Sequence, residues 1–177
     1  MTVETKDTPR IYVACLAAYN EGYLHGKWID ADQDEEAIYE EIKAMLADSP
    51  VPGAEEWAIH DFDNFGGMRL SEYENIEDIV RIAALMSEHG AKLIAGLKDH
   101  GYTLDEIERK LEEDYLGAWD SVEDYLYDEA ESNGRLKEVP GWLENYIDWE
   151  SMAHDHDCNG SFIEIRIDGK IHLFDAY

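Results

Sequence analysis

The chain has 177 residues, 45% hydrophobic and 11% aromatic, with 42 acids against 14 bases and a net charge of −28. That apolar and aromatic content is enough to pack a core and excludes an acidic disordered chain, while a field so negative repels nucleic acid and anionic membranes and attracts basic surfaces. Cys15 and Cys158 make no disulfide framework or metal-ligand spacing, residues 1–10 (MTVETKDTPR) carry no apolar signal region, and no apolar run approaches the ~18 residues of a membrane span, so a soluble cytoplasmic protein is expected.

Residues 11–18 (IYVACLAA) and 23–30 (YLHGKWID) read as two strands rich in β-branched and aromatic residues. Turn chemistry between them, Tyr19-Asn20-Glu21-Gly22, predicts a hairpin. A helix over residues 34–47 follows, with Ala37, Ile38, Ile42, Met45 and Leu46 on one face and Asp32 or Asp34 as its cap, before Pro50 and Pro52-Gly53 stop it. Residues 56–62 return to alternation, which makes the first 62 residues a ββαβ unit. Asn75 opens the next helix at capping-box spacing, with Ile76, Ile79, Val80, Ala83, Ala84 and Met86 as its apolar set and Gly90 as its C-terminal cap. A shorter helix spans residues 91–99, and Thr103 with Glu106 supplies a second capping box.

From there to Asn133 the spacing predicts helices. Ile107, Leu111 and Tyr115 form one apolar row that Gly117 interrupts, and Ser121 restarts a helix whose row is Val122, Tyr125, Leu126 and Ala130. A short helix over residues 148–155 precedes two strands, 162–167 and 171–174, around the hairpin signal Asp168-Gly169. The fold class is α+β, in three parts: an N-terminal ββαβ domain (1–62), a central helical domain (63–102), and acidic helices with a β-hairpin (103–177).

Two stretches invite a metal. Asp30, Asp32, Asp34 and Glu41 copy the ligand spacing of a calcium loop, but its obligatory glycine position is Glu35. Asp155, Asp157, Asn159 and Gly160 come nearer, yet the twelfth position is Arg166, a cation where a bidentate Glu belongs. His154, His156 and Cys158 are zinc-type ligands without a second cluster to complete the shell. A helix cap, a turn into the final hairpin and exposed loop residues account for these three patterns, so no metal or cofactor is expected. A nucleophile elbow, a Gly-rich phosphate loop and HExxH are all missing, and carboxylates are too abundant for any pair to indicate hydrolysis. No catalytic activity is expected.

The feature that asks for a function is the acidic run. Residues 105–131 hold twelve acids against Arg109 and Lys110. Asp105, Glu108, Glu112, Glu113, Asp114, Asp120, Glu123, Asp124, Asp128, Glu129 and Glu131 are its candidate binding residues, with Glu106 assigned to the cap. Like charges at i,i+4 each cost a helix a few tenths of a kcal/mol, so stability gives no reason for them. Three readings compete: a halophile's solvation strategy, a binder or chaperone of basic proteins, and an imitation of nucleic acid. Duplex DNA carries one charge per ~1.7 Å of axis, so −28 matches roughly 48 Å, or about fourteen base pairs.

Composition leaves all three open, and three groups of residues add a resemblance. The opening IYVACLAAYNEGYLHGKWIDA, the run around Tyr115-x-Gly117 and Ser121-x-Glu123-Asp124-Tyr125, and Glu138-Val139-Pro140 followed by Tyr146-Ile147-Asp148 occur in the order found in the ArdA family of antirestriction proteins, which the chain resembles over nearly its whole length. The resemblance implies a DNA mimic from mobile elements such as conjugative plasmids, which occupies the DNA-binding groove of type I restriction-modification enzymes. It also implies an elongated homodimer of small domains in a row, with the stretch around residues 115–126 near the two-fold. Tyr115, Trp119, Val122 and Leu126 would then pack across the dimer interface, the alternative being a core within one chain.

Overall fold

The structure, a computed structural model, describes residues 8–177; most of the N-terminal stretch read for a targeting signal lies outside the described residues. Contacts divide the chain between Ile107 and Glu108 into two compact units. Residues 1–62 and 63–102, read above as two domains, both fall in the first of them.

The first unit is built on β1 (Arg10–Cys15), the central strand of a three-stranded antiparallel sheet with β2 (Gly26–Asp30) on one side and β3 (Trp57–Asp63) on the other. Alternation along β1 sends Ile11 and Val13 into the core at zero exposure, while Tyr12 packs against Trp28 on the opposite face at 5.5 Å between rings. The strand ends earlier than expected. Cys15 caps a helical turn, α1 (Leu16–Asn20), its thiol accepting from the Ala18 amide, so a helix and a loop connect the two strands in place of a four-residue turn. The apolar residues of that run are continuous, and an unbroken apolar run has no period to separate strand from helix.

Helix α2 (Glu35–Ala47) carries the chain from β2 across to β3 and buries Ile38, Ile42 and Met45. Ion pairing and hydrogen bonding from Lys27 and Gln33 to Glu41 hold that carboxyl below its ordinary pKa. Glu41 is thus committed to β2 and to the cap region, and Asp34 stands at the N-cap position of α2 with no hydrogen bond from its side chain to the helix amides.

Helix α3 (Ile76–His89) starts where Asn75 accepts from the Glu77 amide and ends at Gly90, whose φ of 92° lets one residue close α3 and open α4 (Ala91–Asp99). Its buried set is Ile76, Ile79, Ile82, Ala83 and Met86, so the face is rotated from the expected one: Ile82 turns inward, Ala84 is exposed and Val80 half-buried. Thr103 and Glu106 make the predicted reciprocal cap of α5 (Leu104–Arg109), amide to carboxylate at 2.8 Å and amide to hydroxyl at 3.3 Å.

In the second unit the chain departs from the expected helices before Gly117 and not only at it. A π-helical turn, Lys110–Asp114, hands over to a strand, β4 (Tyr115–Trp119), before α6 (Val122–Ser132) begins. The sheet has the order β4-β6-β5, with β5 (Phe162–Ile167) and β6 (Lys170–Asp175) forming the predicted hairpin around Asp168 (φ 50°) and Gly169 (φ 85°). Both positive angles are those of the two-residue turn that fits strand twist. Leu116 bulges out of the β4–β6 ladder, and Gly117 takes φ 105° beside it, a conformation that favours glycine. Short helical segments follow α6: a 3₁₀ turn (Arg135–Glu138), α7 (Gly141–Glu144) and α8 (Trp149–Cys158), the last capped by Asp148, which accepts from the Ser151 amide at 3.0 Å. Leu126, Ala130, Ala153, Ile165, Ile171, Leu173 and Phe174 make the core.

Candidate acidic interaction surface

The second unit holds nineteen acids and six bases in residues 108–177. Its architecture decides which acids face outward. Helix α6 starts because Ser121 accepts from the Asp124 amide at 3.1 Å and donates its hydroxyl to the Asp124 carboxylate at 2.9 Å. Leu126 and Ala130 turn inward against α8, which leaves Asp124, Asp128 and Glu131 exposed. At 1.5 Å rise per residue these stand roughly 4.5–6 Å apart along the axis.

Elsewhere in the run the candidates divide by occupation. Asp105, in the first unit, meets Arg81 at 2.6 Å; Asp120 meets Lys170 at 2.7 Å; Glu129 meets Arg135 at 3.2 Å and Asn133 at 2.7 Å. Asp114 has the firmest commitment, 3.0 Å from Lys110, whose side chain is 8% exposed. Glu112 and Glu113 are exposed, Glu108 and Glu123 half-buried. Among the described residues no cation pairs with Glu112, Glu113, Glu123 or Glu131.

The structure also brings acids from outside residues 105–131 up to that run. Asp120 and Glu123 line one depression of about 520 Å³ with Glu150 and Asp157 of α8 and Glu164 of β5. Five carboxylates from three segments thus face one concavity. Only the packing of α8 and β5 beside α6 reveals this, since Glu150, Asp157 and Glu164 follow Asp120 and Glu123 by 27 to 44 residues in sequence. Yet among the described residues no group of three or more His, Cys, Asp or Glu could hold a metal ion. Asp155, Asp157, His154, His156 and Cys158 all lie on α8, where a calcium loop cannot form, and the Cys158 thiol sits 3.5 Å from His154. The carboxylates are spread as separate charges rather than gathered on a point.

Each of the four apolar candidates has neighbours inside the unit. Tyr115 hydrogen-bonds His172 Nδ1 at 2.8 Å and packs on Phe174 at 5.0 Å; burial raises the pKa of the phenol and lowers that of the imidazole. Trp119 donates to the Leu116 carbonyl at 2.9 Å and meets the Tyr125 ring edge-on at 5.5 Å. Leu126 is 6% exposed, and Val122 is half-buried at the start of α6.

A family model described as antirestriction protein (ArdA) matches residues 11–168. The chain belongs to the ArdA family. No match was found among curated proteins. Membership makes this ArdA chain an antirestriction protein, and restriction-modification enzymes are in general what such a protein engages. The ArdA match runs through both units and includes the whole acidic run, α6 and the five-carboxylate depression. No helix among the described residues of this ArdA protein is long and apolar enough to cross a membrane.

Proposed function

We propose that this chain acts by imitating B-form DNA, occupying the DNA-binding groove of a type I restriction-modification enzyme so that incoming mobile DNA escapes cleavage. The observation that carries the reading is the arrangement of carboxylates on α6 and around the depression: numerous, fixed by a packed scaffold, and too dispersed for a metal ion. Enzymes that bind DNA do so through cationic grooves and gain by releasing its counterions. Fixed carboxylates offer comparable electrostatics without the energy of deforming a duplex. Inhibition is then competitive occlusion, with no catalytic residue, in the cytoplasm where restriction takes place.

A homodimer belongs to the same proposal, since two copies double the charged length and match the symmetry of bipartite DNA sites. The half-buried edges of Tyr115, Trp119 and Val122 are what this unit offers to a second copy.

Competition tests the reading. The purified protein is titrated into a type I enzyme bound to labelled duplex carrying its recognition site, with an unrelated DNA-binding protein as control. Stoichiometric displacement from the restriction enzyme, with the control unaffected, is expected. Equal displacement of both would mean a generic polyanion, and displacement of neither would return the acidic surface to binding of basic proteins.

A further inference from the structure

The second unit has an apolar cleft that imitation of DNA leaves without a use. It measures about 380 Å³ and lies among α6, the 3₁₀ turn, α8 and β5, walled by Leu126, Leu136, Val139, Ile147, Met152 and Phe162. Met152 is 40% exposed there. His156 stacks on Phe162 at 4.9 Å, and its Nδ1 is buried with no hydrogen-bond partner among the described residues. The segments that carry the wall are strongly acidic: residues 122–158 contain eleven carboxylates and two bases, and one of those bases, Arg135, is paired with Glu129 at the cleft.

We propose that this cleft receives an apolar side chain from a lysine- or arginine-rich amphipathic segment of the protein partner. The acidic surroundings select the partner's charge and the cleft selects its apolar face, as in recognition of an amphipathic helix by a groove. The inference rests on the proposed occupation of a restriction enzyme and deepens it: the mimic adds a contact that DNA lacks, and that contact survives in salt that screens the charges.

Two synthetic peptides probe the cleft, an amphipathic helix of leucine and lysine and a serine–lysine peptide of equal length and charge. Calorimetry with the full chain is expected to show the leucine peptide binding about tenfold tighter, with the margin retained in concentrated salt. Met152→Gln, a substitution at an exposed wall position, is expected to reduce that margin to about threefold or less. Equal binding of both peptides to the unaltered protein overturns the proposal and needs no variant. So does dissociation of the protein into protomers by Met152→Gln in sedimentation, because a second copy then fills the cleft. If the unaltered protein fails to displace DNA from the restriction enzyme, the occupancy reading falls, and the peptide pair still decides the cleft.

Discussion

His172 shows how a single residue ties the second unit to pH. Its ring is half-buried beside β4, hydrogen-bonded to Tyr115, and burial lowers its pKa from the ordinary 6.5. The unfolded chain therefore takes up a proton more readily than the folded one, so the contribution is intact above pH ~6.5 and is lost as pH falls through the lowered value. Thermal unfolding followed between about pH 7.5 and 5.5 should show the midpoint dropping, with His172→Asn flattening that part of the slope. The loss stays well under the ~1.4 kcal/mol per pH unit of one fully linked proton, because the ring is only half-buried. Asp114 makes a different point at the same scale. In sequence it is one acid among twelve, and in space it neutralises Lys110, a cation 6% exposed. Asp114→Asn should cost about 1–3 kcal/mol in denaturant unfolding, since it removes a carboxylate 3.0 Å from a buried ammonium, whereas Glu112→Gln, at an exposed position, should change stability by about 0.5 kcal/mol or less.

Elements were legible where their signals are local. Asn75, Thr103, Ser121 and Asp148 each accept a hydrogen bond as caps, and Asp168-Gly169 turns the final hairpin, because capping and tight turns are decided within four residues. Strand β4 was illegible for the opposite reason. Ile107, Leu111 and Tyr115 continue a helical spacing, and what makes residues 115–119 a strand is pairing with β6, more than fifty residues away. Tertiary pairing overrides a local period in such cases. The same limit governs the candidate surface: exposure of Asp124, Asp128 and Glu131 follows from the inward row of α6 and could be read off its spacing, while the convergence of Glu150, Asp157 and Glu164 on Asp120 and Glu123 depends on how α8 and β5 pack. The apolar cleft had no sequence signal at all, since its wall is assembled from four separate segments.

At the scale of the molecule, occlusion by many fixed charges predicts graded behaviour. Glu112, Glu113, Glu123, Asp128 and Glu131 are engaged by no cation among the described residues, so they can be neutralised with little effect on the fold. Converting them one after another to Gln or Asn should weaken displacement of DNA from the restriction enzyme by about two- to threefold per charge and flatten its salt dependence at each step. Collapse of binding at a single substitution would point to one recognition site instead. The two sheets differ in one respect that bears on synthesis. In the first, the central strand β1 is the earliest in the chain, and β2 and β3 each add to a template already present. In the second, the central strand β6 is the latest of its three, so β4 leaves the ribosome with its pairing edge unmatched and stays so while more than fifty residues are translated. An emerging chain therefore carries a folded first unit ahead of a second that cannot close, and translation halted before β6 leaves α6 and its carboxylates without the scaffold that spaces them.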